Sequence, residues 1–228
     1  MRKPTVDYSG FRLSRLAEPR FRHLLLLLGW VGYFVLYALT ENLIPAEKCM
    51  PVHIFLDDII PFCEWFVIPY VFWYVLIVIS LGYFMFYDVD SFRRLQIFIM
   101  ITQAVAMVCY ILFPTRQDLR PEFFPRENLL TALVGVLYHF DTNTGVCPSL
   151  HVAYSLGIAS VWLKQKDAAW MWKTFVVVAV VLICLSTAFI KQHSAADIFA
   201  ALPLGLLAEA LVYGKSYWLP KLRRSAGK

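Results

Sequence analysis

Apolar runs of about 17–25 residues, each long enough to cross the hydrocarbon core of a bilayer, recur along this chain and limit what it can fold into. Hydrophobic residues make up 60% of the 228 and charged residues only 16%, against roughly 45–50% and 25% in ordinary globular proteins. A backbone inside hydrocarbon must satisfy its own hydrogen bonds, so such runs become helices. The sequence therefore predicts an all-α membrane protein with six transmembrane helices, near 23–43, 63–87, 95–113, 148–163, 170–190 and 194–213. The second of these holds Glu64 near one end and Pro69 within it.

Basic residues orient the bundle. With the N-terminus in the cytoplasm, all but five of the 21 Lys and Arg fall on the inner side, from Arg2 and Lys3 in one tail to Lys228 in the other. The five on the outer side are Lys48, Arg116, Arg120, Arg126 and Lys191. Three regions follow: a cytoplasmic basic tail over 1–22, a membrane domain over 23–213 and a second basic tail over 214–228. The first apolar run begins at His23 behind a basic segment, with no small-residue cleavage site after it, so a retained membrane segment is expected rather than a signal peptide. The net charge of +5 is a topology signal plus contact with anionic lipid. No soluble basic domain exists to bind nucleic acid. Cys49, Cys63, Cys109, Cys147 and Cys184 lack metal-site spacing; they read as free thiols, with a Cys49–Cys63 disulfide as the alternative.

Three polar stretches then meet the outer surface: FPTRQDLRPEFFPR after the third helix, CPSLH at the start of the fourth, and STAFIKQHSAAD joining the fifth and sixth. His193 and Asp197 are four apart and share a helix face. A carboxylate there can hold the imidazole Nδ1–H and leave Nε2 as base or nucleophile; simple capping of the hairpin is the alternative. Pro148 suits the first helical position. The N–H groups after it, with the Ser149 hydroxyl, can form an anion site, and His151 is placed to deliver a proton; ordinary N-capping by the serine is the alternative. Arg116 and Arg120 carry guanidinium forks that suit phosphate, with lipid-headgroup contact as the alternative, and Lys191 is a further phosphate-binding candidate unless it simply snorkels to the interface. Arg126 reads as a lipid-headgroup contact. The segment 126–140 is expected to lie on the membrane as an amphipathic helix, which sets His139 and Asp141 apart from any metal site. His53, Asp57 and Asp58 read as solvated surface. A helix–helix hydrogen bond is the simplest role for Glu209.

PSLH at 148–151, the His193–Asp197 spacing and Ser186 seven residues before the histidine resemble the second and third motifs of the type 2 phosphatidic acid phosphatase family. The resemblance runs from about residue 63 onward and includes the six-helix layout. It implies that His193 attacks phosphorus to form a phosphohistidine, Asp197 orients it, and His151 protonates the leaving oxygen and later activates water. Ser149 would hold phosphoryl oxygens. It implies no metal or other cofactor and a lipid phosphate as substrate; protein partners are left open. This chain departs from the family pattern at Phe113, where a lysine precedes Arg120-Pro121, at Thr187, where an arginine follows the serine, and at Leu150, where glycine is usual. Arg116 and Lys191 are the replacement cations. The expected function is a lipid phosphatase acting on a lipid phosphate or pyrophosphate at the outer face. The alternatives are a lipid phosphotransferase and a non-catalytic lipid-binding or transport protein on the same scaffold.

Overall fold

The structure, a computed structural model, describes residues 4–226; Arg2, Lys3 and Lys228 lie outside the described residues. It is mostly helical. Helices α1 (Leu28–Leu43), α2 (Phe55–Ile59), α3 (Val67–Tyr87) and α4 (Val89–Leu112) are followed by α5 (Leu129–Phe140), α6 (Leu150–Lys164), α7 (Trp170–Phe189), α8 (Ala195–Tyr213) and α9 (Leu219–Ala226). Among the described residues, five helical stretches are long and apolar enough to cross a membrane: Arg22–Leu43, Glu64–Tyr87, Val89–Leu112, Trp170–Phe189 and Ala195–Ser225. They make this an integral membrane protein. The helix expected near 148–163 is present as α6 but has only 15 residues.

Local chemistry explains the boundaries. α4 begins six residues before the expected start because Asp88 caps it, accepting from Ser91 N at 3.1 Å and Ser91 Oγ at 2.7 Å. Pro69 sits in the first turn of α3, where its missing N–H has no intrahelical acceptor to lose. Asn128 caps α5 by accepting from Leu130 N and Thr131 N. Pro148 was expected at the first helical position of α6; it stands one residue before the N-cap Ser149 instead, joined to Cys147 by a cis peptide.

α6 is the centre of the molecule. Only Leu163 of this helix is exposed, and it packs against α4, α7 and α8. Its approach to α4 depends on Gly157: a Cβ there would lie 2.6 Å from Phe98 Cδ1 and 2.9 Å from Cε1. Gly157→Ala should therefore cost about 1–3 kcal/mol through overpacking, more than the helix-propensity gain of up to about 1 kcal/mol returns. Gly205→Ala meets only the flexible tip of Leu156 and should be close to neutral. Thermal unfolding of both variants in detergent checks this; equal melting temperatures would contradict it.

The helix ends at residues 43, 67, 112, 150, 189 and 195 share one end of the bundle, where loops tie them together. Two short strands, β1 (Met50–Pro51) and β2 (Thr115–Arg116), pair in parallel, Met50 with Thr115 and Pro51 with Arg116. Cys63 N donates to Phe189 O and Ser149 N to Asp197 O. Gly145 turns the chain into α6 at φ +59°, with the Tyr110 ring 3.5 Å from where a Cβ would stand. At the opposite end, Glu209 accepts from Ser160 Oγ at 2.5 Å, Lys164 Nζ at 2.6 Å and Trp218 Nε1 at 2.6 Å. The interhelix bond expected of it is present, together with an ion pair. All five cysteines are free thiols, so the Cys49–Cys63 alternative does not form.

Candidate active site

The loop-tied end holds a cavity of about 510 Å³ between α1 and α3, floored by the first turn of α6. His151, from that turn, and His193, from the turn between α7 and α8, both line it. Their ring centroids are 5.7 Å apart. Each histidine is 8% exposed, whereas Ser149 and Asp197 are fully buried.

The α7–α8 turn sets His193 by backbone bonds. Gln192 N and His193 N both donate to Thr187 O, at 2.9 and 3.0 Å. Lys191 takes φ +55° to make the turn, a left-handed conformation that costs a non-glycine residue energy. His193 Nδ1 then lies 3.2 Å from Asp197 Oδ2. That same oxygen accepts from Ser194 N at 3.0 Å, and Ser194 Oγ accepts from Ala196 N at 3.1 Å. Asp197 therefore both caps α8 and holds the imidazole. The S-x-x-D pattern at 194–197 carries the capping half of that role. With Nδ1 engaged, Nε2 is the nitrogen left for chemistry.

His151 is placed by stacking: its ring centroid is 4.4 Å from that of Tyr70 and 4.0 Å from that of Trp73. Its Nε2 is buried without a protein partner, as is Ser149 Oγ. Ser149 is the N-cap of α6 but makes no side-chain cap bond. The N–H groups of the first turn have no acceptor earlier in the helix. Unspent donors at a helix N-terminus, beside an unpartnered hydroxyl, make a place for an anion. Neighbouring Cys147 is no rival nucleophile: burial first, and Asp197 second, push its thiol up to about 12.

The three expected cations are arranged differently. Arg116 donates to Asp118 Oδ2 at 2.9 Å, Ala46 O at 2.9 Å and Cys49 O at 3.2 Å, binding the loop after α4 to the loop after α1. Arg120 donates to the carbonyls of Tyr138, Asp141 and Thr142 and to Gln192 Oε1, and packs on the Tyr138 ring. Burial draws its pKa below the ordinary arginine value, partly offset by Asp141. Lys191 Nζ donates to Asp57 O at 2.9 Å and Ile60 O at 2.6 Å; burial lowers it, with Asp57 and Asp58 opposing. None of the three lines the cavity. Arg126 pairs with the buried Glu64.

Sequence reasoning missed several residues. Asp57, expected on a solvated surface, is buried. Its carboxylate accepts from Ser194 Oγ at 2.6 Å and Ala195 N at 2.7 Å, so it clamps the start of α8 directly behind His193. His53 and Asp58 do form an exposed pair. Asp57→Ala leaves those two donors without their acceptor and should destabilise the protein by about 3 kcal/mol. Thermal unfolding reads the loss, and a melting temperature equal to wild type would rule the clamp out. Asp141 and Gln192 also line the cavity. Gln192 Nε2 donates to Asp141 Oδ2 at 3.1 Å, and its amide oxygen takes Arg120. No short-range pattern marks either residue.

The site thus joins a carboxylate-held imidazole and a second histidine in one largely apolar cavity. The first turn of α6 reaches it through Leu150 and His151, while the N-cap Ser149 is fully buried and does not line it. No protein-family model, curated protein or solved structure matches this chain, so the function is read from these residues.

Proposed function

We propose that the chain is an integral membrane enzyme that cleaves a phosphate ester of a lipid at the outer membrane face, with His193 as nucleophile. The observation that carries this is His193 bonded through Nδ1 to Asp197 at 3.2 Å, with the His151 ring beside it in the same cavity. Nε2 of His193 attacks phosphorus, an N–P bond forms and the bond from phosphorus to the lipid oxygen breaks. His151 gives its proton to that oxygen, releasing the lipid alcohol. A water molecule, deprotonated by His151, then attacks phosphorus and the N–P bond breaks. Ser149 and the α6 N-terminus hold the phosphoryl oxygens through both steps. The resemblance to the type 2 phosphatidic acid phosphatase family supports the same assignment. On this reading α6 is the short sixth member of the bundle, and the basic tails lie in the cytoplasm by the positive-inside rule.

One observation favours a second reading, transfer of a phospho-headgroup to an acceptor lipid. Arg116, Arg120 and Lys191 are all engaged with protein oxygens, and a diester carries less charge than a monoester and needs fewer cations. The two readings share the nucleophile and differ in what arrives second. Purified protein in liposomes with a phosphatidate or phospholipid substrate should release lipid alcohol, and His193→Ala and His151→Ala should not. Phosphate or phospho-headgroup appearing in water without an acceptor supports hydrolysis; activity only with added diacylglycerol or another lipid alcohol supports transfer. Lipid alcohol release that survives His193→Ala overturns both.

A further inference from the structure

The charges facing the cavity do not suit a phosphate monoester. Among the described residues no lysine or arginine lines it, and the one carboxylate that does is Asp141. That carboxylate is held by neutral donors: Tyr70 OH at 3.0 Å and Gln192 Nε2 at 3.1 Å on Oδ2, and Tyr37 OH at 3.4 Å on Oδ1. Arg120 reaches the backbone oxygen of Asp141 and the far side of the Gln192 amide. A doubly charged monoester at the α6 N-terminus would face this carboxylate across an apolar space, where like charges repel strongly.

The walls of the same cavity are aromatic. Trp30, Tyr33, Phe34 and Tyr37 come from α1, and Trp73 and Tyr74 from α3. Aromatic rings beside a carboxylate attract an organic cation through the ring quadrupole and the negative charge together. Lower on the same walls, Phe34 and Val78 are 59% and 70% exposed, on the side where lipid chains would lie.

We infer that this cavity takes a zwitterionic phospholipid, its ammonium headgroup held by Asp141 and the aromatic rings while its singly charged phosphodiester sits between His193 and the α6 N-terminus. The substrate class is a choline- or ethanolamine-type phospholipid. This rests on the proposed attack by His193: the N–P bond forms, diacylglycerol leaves with the proton from His151, and the phospho-headgroup stays on the enzyme. Water or an acceptor hydroxyl then displaces it.

Two measurements test this separately from the chemistry. The first uses liposomes of phosphatidylcholine, phosphatidylethanolamine, phosphatidylglycerol or phosphatidate, and reads diacylglycerol. The zwitterionic lipids should exceed phosphatidate in kcat/KM by about tenfold or more, and Asp141→Asn should erase most of that ratio. The second needs no turnover: His193→Ala protein, followed by tryptophan fluorescence, is titrated with dodecylphosphocholine or dodecyl phosphate below their micellar concentrations. The phosphocholine should bind about tenfold tighter, and Asp141→Asn should remove the difference. If Asp141→Asn does not fold, the wild-type substrate ratio decides. A His193-dependent preference for phosphatidate overturns this inference and leaves the phosphohistidine chemistry standing. Cleavage that ignores His193 removes the chemistry, and tighter binding of dodecyl phosphate removes the headgroup site.

Discussion

His193→Gln should lower lipid phosphoester cleavage by roughly four orders of magnitude or more, the scale seen when a nucleophile is deleted from a coupled catalytic unit. Glutamine has about the right length, and its amide can still donate to Asp197. The ring position is set mainly by backbone bonds, His193 N and Gln192 N to Thr187 O, so the turn should survive the change. Only the nitrogen able to bond phosphorus is lost. The loss should therefore appear in kcat, with KM little changed, because the proposed mechanism has Ser149 and the α6 N-terminus hold the phosphoryl oxygens. Initial rates of lipid alcohol release across a range of substrate fractions in the bilayer check it. A rise in KM at constant kcat would make His193 a binding group instead.

Asp197→Asn should reduce kcat by about 10²–10⁴-fold, as when an imidazole loses its supporting carboxylate but keeps its place. Asp197 Oδ2 accepts from both His193 Nδ1 and Ser194 N. An asparagine whose carbonyl oxygen takes that position keeps both bonds and the cap of α8, and removes only the charge. In the proposed mechanism that charge matters most as the His193 ring becomes cationic on bonding phosphorus. A melting temperature near wild type alongside the kcat loss separates this role from capping. Equal losses of folding and activity would return Asp197 to a structural cap.

Much of the fold and the heart of the site could be read from the chain because they rest on short-range patterns. Spans of apolar residues declare their length, and His193 with Asp197 is a one-turn relation that any helix enforces. PSLH declares a helix start, although the helix begins two residues after Pro148. The remainder depends on contacts that spacing does not encode. Asp57 meets Ser194 across 137 residues, and in sequence it is one acidic residue in a loop. Asp141 is a carboxylate among aromatic residues from two helices, visible only once α1 and α3 stand beside the loop before α6. The cations show the same limit from the other direction. A sequence can place Arg116, Arg120 and Lys191 at the correct end of the bundle, but it cannot show that backbone carbonyls occupy them.

The most direct test is a rapid-quench experiment on the purified protein in liposomes, with the phospholipid labelled at phosphorus and mass analysis of base-stable phosphopeptides. A phosphoryl or phospho-headgroup adduct on the peptide containing His193 is expected within the first turnover, absent from His193→Gln. Cleavage of the lipid with no adduct at His193, or an adduct on another residue of the same peptide, would contradict covalent catalysis by this histidine.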